Sequence, residues 1–163
     1  MKKLTQEELV AKINKLKAEG QVDLSLEEDL SIAVMNLISL EEHFFFTAEK
    51  TSKNEYLDLL NQVRQIRKEL LGRMLNKHEG ETWCICKHLL ATTMRLMEVG
   101  TKLLGDGKNS EAQDMFKKAY EIYLLFWGLR LKLIDLPDLK KIGADEAMTQ
   151  DEVLSRLLDC CKE

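Results

Sequence analysis

The chain has 163 residues, enough for one domain and too few for two of ordinary size. Eight glycines and a single proline leave little turn chemistry for an all-β fold. With 45% hydrophobic and 32% charged residues the chain can bury a core and stay dissolved, which excludes the disordered class, and a net charge of −4 argues against a dedicated nucleic-acid binder.

Six helices are predicted in chain order. Each start but one carries a Ser/Thr followed three residues later by Glu/Gln, the capping box in which each side chain satisfies the other's orphan backbone N–H. The first, at about 5–19, opens with Thr5…Glu8 and closes at Gly20. The second, at about 26–50, follows Ser25…Glu28 and offers Leu30, Val34, Leu37, Phe44 and Phe45 as its apolar face. The third, at about 53–76, follows Ser52…Glu55 and offers Tyr56, Leu60, Val63, Leu70 and Met74. The fourth, at about 81–105, starts after Gly80 without a box. It presents Ile85, Leu89, Leu96, Val99 and Leu103, with Cys86, Leu90, Met97 and Leu104 beside them, and stops at Gly105-Asp106-Gly107. The fifth, at about 109–134, follows Ser110…Gln113, carries Phe116, Ala119 and Tyr123, and is stopped by Leu136-Pro137. From Leu124 to Leu129 it is apolar nearly all round, so it needs cover on every side. Residues 135–148 read as a loop, and Thr149…Glu152 opens a sixth helix at about 149–162.

These elements predict one all-α domain over 1–163, an antiparallel four-helix core bundle at 25–134, with residues 1–24 and 135–163 peripheral. The first and sixth helices are the available cover for the fifth. Within the core, Gly100 is flanked by Leu96, Val99 and Leu103, and Ala112, Phe116 and Ala119 follow. This stretch, about 93–124, resembles a single tetratricopeptide (TPR) helical hairpin, in which Gly and Ala let two backbones approach and Phe fills the groove beside them. It departs from that family where Leu124 stands in place of the terminal Pro. No second copy lies about 34 residues away, so the resemblance implies a TPR-like interaction hairpin rather than an array.

The charges that break apolar faces are the first candidate site. Glu41 shares a face with Val34, Leu37, Ile38, Phe45 and Ala48, and Arg67 shares one with Tyr56, Leu60, Val63, Leu70 and Met74. A buried charge is costly unless paired. Counting back from the turn near residue 52 brings Glu41 level with Arg64 or Arg67, and counting from the other turns brings Thr92 and Tyr120 to the same height. A polar layer of Glu41, Arg64, Arg67, Thr92 and Tyr120 is therefore predicted, either fixing helix register or holding a small polar or anionic ligand. Phe44-Phe45-Phe46 spans some 200° of helix at roughly 100° per residue, so one ring must face a covering element or a partner.

Other chemistry is weaker. Cys84 and His88, four apart on one helix face, are the best metal candidates, but Cys86 points away and no Cys-x-x-Cys or His-Glu-x-x-His occurs. Arg73…His78 resembles the short Arg/His signature of HEPN-type helical ribonucleases, which implies RNA phosphate chemistry at those two residues. Gly105-Asp106-Gly107 lacks the Lys-Ser/Thr and preceding strand of a phosphate loop.

The N-terminus turns acidic at once, which predicts no signal peptide, and Ile122–Ile134 is too short and too charged, through Arg130 and Lys132, to span a bilayer. The spacing of Cys84, Cys86, Cys160 and Cys161 does not suit a secreted disulfide framework. The chain reads as a small cytoplasmic interaction or adaptor protein without catalytic activity or cofactor, acting on a protein partner or as a homodimer. No membrane is expected as a partner and no nucleic acid is favoured. The runner-up is a small-molecule or metal-binding helical bundle, or a HEPN-like ribonuclease. Elemental analysis of untagged protein should find zinc and iron well below one ion per chain, because no helix face gathers more than two soft ligands; one tightly held ion would direct attention to Cys84, His88 and His43.

Overall fold

A computed structural model describes residues 6–18, 23–75 and 81–134, and every element among them is an α-helix. They are α1 (Gln6–Ala18), α2 (Leu24–Thr51), α3 (Glu55–Met74), α4 (Glu81–Gly105) and α5 (Asn109–Arg130). Thr5, residues 76–80 with His78, and the predicted loop and sixth helix at 135–162 lie outside the described residues.

The helix ends differ from the predicted ones in instructive ways. α2 is capped by Asp23, whose carboxylate accepts from the Ser25 and Leu26 amides at 3.1 Å each, so Ser25 lies inside the helix. Ser52 does not cap α3: it sits in the left-handed region, φ 54°, and ends α2, while Asn54 precedes α3 without a side-chain cap. Nor does Ser110 cap α5, because it lies within the helix after Lys108. α4 closes in a Schellman turn at Gly107, φ 75°, with the Gly107 amide donating to the Leu104 carbonyl and the Lys108 amide to that of Leu103. α5 ends the same way and four residues earlier than predicted. Lys132 takes the left-handed position, φ 54°, and the Lys132 and Leu133 amides donate to the Leu129 and Gly128 carbonyls at 3.0 and 2.8 Å. The turn folds Ile134 back on Gly128, where a Cβ would meet the Ile134 side chain at 2.5 Å.

Two hairpins, α2–α3 and α4–α5, pack tightly within themselves, and α2 meets α4 more sparingly. The dry core lies at one end. Val34 and Met35 of α2, Leu71, Met74 and Leu75 at the end of α3, Trp83, Cys86 and Leu90 of α4, and Phe126 and Leu129 of α5 form one cluster. The elements are antiparallel, so this gathers the first half of α2 and α4 with the last turns of α3 and α5, around the α3–α4 connection. On α4 the deepest residues are Cys86, Leu90, Thr93 and Gly100, not the Ile85–Leu103 stripe, of which Val99 is exposed. Leu124 and Leu125 of α5, on the stretch that calls for cover on every side, are exposed.

The α4–α5 hairpin closes on Gly100, which is buried with the Phe116 ring lying across it; a Cβ there would come within 2.5 Å of the ring. Ala112 and Ala119 are buried on the same face of α5. Gly100→Leu should therefore cost ~1–3 kcal/mol or more through overpacking. Gly105→Ala, whose Cβ meets nothing within 4 Å, should be close to neutral. Urea midpoints of the two variants check this, and equal midpoints would mean that the ring yields freely.

Candidate functional site

One stripe of α2 carries the polar chemistry of the interior. Glu27, Val34, Glu41 and Ala48 repeat at heptad spacing and so lie above one another on the helix. Two of the four are carboxylates, and each meets an arginine from another helix. Arg67 of α3, 1% exposed, donates from Nε to Glu41 Oε1 at 2.8 Å and from Nη2 to Oε2 at 3.2 Å. This fork matches the carboxylate geometry of a planar guanidinium and takes up both oxygens. Arg130, in the last turn of α5, donates from Nη2 to Glu27 Oε1 at 2.5 Å, mostly out of solvent. Here the fit is poorer, since Glu27 Oε2 and Arg130 Nε are buried without a hydrogen-bond partner.

Between the two pairs sits Ser31. Its hydroxyl donates to the Glu28 carbonyl at 2.7 Å and lies 2.6 Å from the Tyr123 hydroxyl. A serine has one hydroxyl proton, so Tyr123 is the donor in the second bond and Ser31 the acceptor. The α2 interior stripe therefore reaches α3 through Glu41 and α5 through Glu27 and Ser31.

The predicted polar layer is assembled only in part. Glu41 and Arg67 form its centre, and Arg64 is half-buried one turn of α3 away. Thr92 does not join them: it is exposed, donates to the His88 carbonyl at 2.8 Å, and borders the α2–α4 groove beside Glu42. Tyr120 does not join either, at 62% exposed. Counting levels from the turns assumes that the four helix axes stay together, but the dry core holds them at one end only. Glu27–Arg130 and Ser31–Tyr123 had a signal in the sequence that went unread, because Glu27 stands one heptad before Val34 on the stripe that identified Glu41. Of the metal candidates, Cys84 is buried and His88 is exposed, and no group of three metal-ligating side chains occurs among the described residues. Arg73 is exposed at the end of α3.

Two surfaces remain. The first is a groove of about 400 Å³ between α2 and α4, lined by Asn36, His43, Phe46, Met94, Arg95 and Glu98 among others. Arg95 crosses it to Glu42 and Ser39 on α2 and also pairs with Glu98 on its own helix at 2.5 Å. The second is apolar. The core-facing stripe of α2 runs Val34, Ile38, Glu41, Phe45, and that of α4 runs Cys86, Leu90, Thr93, Met97, Leu104. The early members are buried, whereas Phe45, Met97 and Leu104 are 46%, 46% and 51% exposed. Residues in core register thus stand exposed along the later turns of α2 and α4, and Phe45 packs edge-on against the equally exposed Phe46. No helix among the described residues is long and apolar enough to cross a membrane.

No family model matches the chain, and neither a curated protein nor a solved structure does.

Removing one partner of the central pair should be far worse than removing both. Glu41→Gln should cost roughly 3–5 kcal/mol, because it removes the carboxylate charge that faces the buried Arg67 guanidinium, while Glu41→Leu with Arg67→Met should be much milder. A double-mutant cycle on urea unfolding reads the coupling. A Glu41→Gln cost below about 0.5 kcal/mol, the size of a surface change, would contradict the burial of the pair.

Proposed function

We propose that the protein is a non-catalytic helical interaction module, cytoplasmic, that receives an amphipathic helix of a protein partner between its two hairpins. One observation carries this reading: the core-facing stripes of α2 and α4 continue beyond the dry core into Phe45, Met97 and Leu104, which no described helix covers. An amphipathic helix lays its apolar face into such a groove through anchors spaced three and four residues apart. The TPR-like α4–α5 hairpin supports the same reading, since its Gly100–Phe116 packing gives one wall of the cleft a fixed shape. Cysteines packed in the core, Cys84 and Cys86, suit a reducing compartment.

A small polar ligand in the α2–α4 groove is the second reading, favoured by the convergence of Asn36, His43 and Arg95 there. It is weaker because the Arg95 guanidinium already serves Glu42, Glu98 and Ser39. The HEPN-like reading has only exposed Arg73 among the described residues.

Placing p-benzoylphenylalanine at position 45 of the full chain, and at Lys117 on α5 as a reference, tests the proposal in cells. Light should join position 45 to one discrete partner protein, and Met97→Glu should abolish that adduct while leaving the thermal midpoint within a few degrees. Equal, diffuse adducts from both positions would overturn it.

A further inference from the structure

The groove between α2 and α4 is chemically uneven along its length. From α2, Leu40, His43, Phe46 and Lys50 line it, spaced three and four residues apart and so on one face of the helix. Leu40 and Phe46 are 37% and 49% exposed there, and Met94 of α4, which packs on the dry core, reaches the same groove. An aromatic ring and two aliphatic side chains thus stand together on an otherwise polar surface.

The charges divide into a paired middle and an unpaired end. Glu42 and Glu98 are both turned to Arg95, so the middle of the groove is satisfied internally. Beyond it, Lys50 stands in the last turn of α2, and Lys102 stands in the last turn of α4, one turn after Glu98 on the same face. Both are exposed, and neither has an ion-pair partner among the described residues. Residues 49–53 add a second lysine, Lys53, and one carboxylate, Glu49, which pairs with none of the three. On a chain of net charge −4, this end of the groove offers cations.

We propose that the α2–α4 groove docks an acidic amphipathic helix of the partner, with its apolar side chains on Leu40, Phe46 and Met94 and its acidic first turn at Lys50 and Lys102. The inference rests on the reading of the protein as a helix-accepting module, and it adds the charge and the direction of the partner. Leu40 to Lys50 spans roughly 15 Å at the α-helical rise, the reach of a helix with anchors three, four and seven residues apart. Direction follows from polarity. α2 and α4 run the same way, with antiparallel α3 between them in the chain, so their C-terminal ends lie together. An occupant antiparallel to both brings its N-terminus to that end, and Asp and Glu are favoured in a first helical turn. The aromatic contact supplies affinity, and the lysines supply choice of partner and speed of encounter.

A displayed library of helix-forming peptides roughly 15 residues long, about four turns, tests this on the full chain. Peptides selected on the wild type should carry apolar residues at helical spacing and an excess of Asp and Glu in the first turn. Selection on Lys50→Glu with Lys102→Glu should lose that excess, and the best wild-type peptide should bind this variant roughly tenfold or more weakly, with a gap that closes as salt is raised. Phe46→Ser, at a half-exposed position that leaves the core filled, should abolish its binding while the thermal midpoint stays within a few degrees. Equal acidity from both selections would overturn the proposal, because it would express only the general preference of helix N-termini. Peptides that bind Phe46→Ser unchanged would also overturn it; loss of the same peptides in Met97→Glu would then keep the interaction module and move its surface. A library that yields no binder overturns it as well, and a partner adduct at position 45 decides whether the module stands without this groove or falls with it.

Discussion

The whole arrangement depends on one stripe of α2, which has to satisfy three neighbours at once. Along it the chain alternates apolar and ionic residues at heptad spacing: Glu27 for Arg130 of α5, Val34 for the dry core, Glu41 for Arg67 of α3. Buried ion pairs contribute little net stability, because desolvation consumes most of the Coulomb attraction. What they do impose is register. An apolar contact between two helices survives a slide of one turn with partial repacking, but a guanidinium buried to 1% has a single position at which its carboxylate is met. Glu41–Arg67 thus fixes how far α3 slides along α2, and Glu27–Arg130 with Ser31–Tyr123 fixes α5 against the same helix.

With register fixed at one end, divergence at the other becomes tolerable. The α4–α5 hairpin is held by backbone proximity at Gly100, Ala112 and Ala119, and the α2–α3 hairpin by its ion pair and by Phe44 against Tyr56. Each hairpin is internally complete. Over the distal half the hairpins meet through Arg95 with Ser39 and Glu42, and Phe45 and Met97, in core register, stand exposed beside that contact.

Much of this was legible in the residues. The helices announced themselves because burial on one side imposes the 3.6-residue period, and Glu41 and Arg67 stood out because a charge on an apolar face requires a partner. The failures share a cause. Ser25, Ser52 and Ser110 are as eligible to cap as Asp23, because a cap is one hydrogen bond decided by where the chain turns, which depends on packing several residues away. Lys132 and Ser52 take left-handed positions that a sequence marks only when glycine fills them, as at Gly107. Thr92 and Tyr120 were placed by height alone, and height cannot report the angle between two hairpins. Arg95 is half exposed, yet it bridges α4 to α2, a contact that only the relative position of two hairpins creates.

The bonds of the closed end also bear on how the chain finds its fold. Within each hairpin the partners are close in sequence, and such local pairings form quickly. Ser31–Tyr123 and Glu27–Arg130 join residues 92 and 103 positions apart. Closing loops of that size carries the largest chain-entropy cost in the molecule, and it is offset only when the dry core forms around them. Contact order thus favours the hairpins as the units that form first, with the joining of the start of α2 to the end of α5 as the step that carries the greater chain-entropy cost.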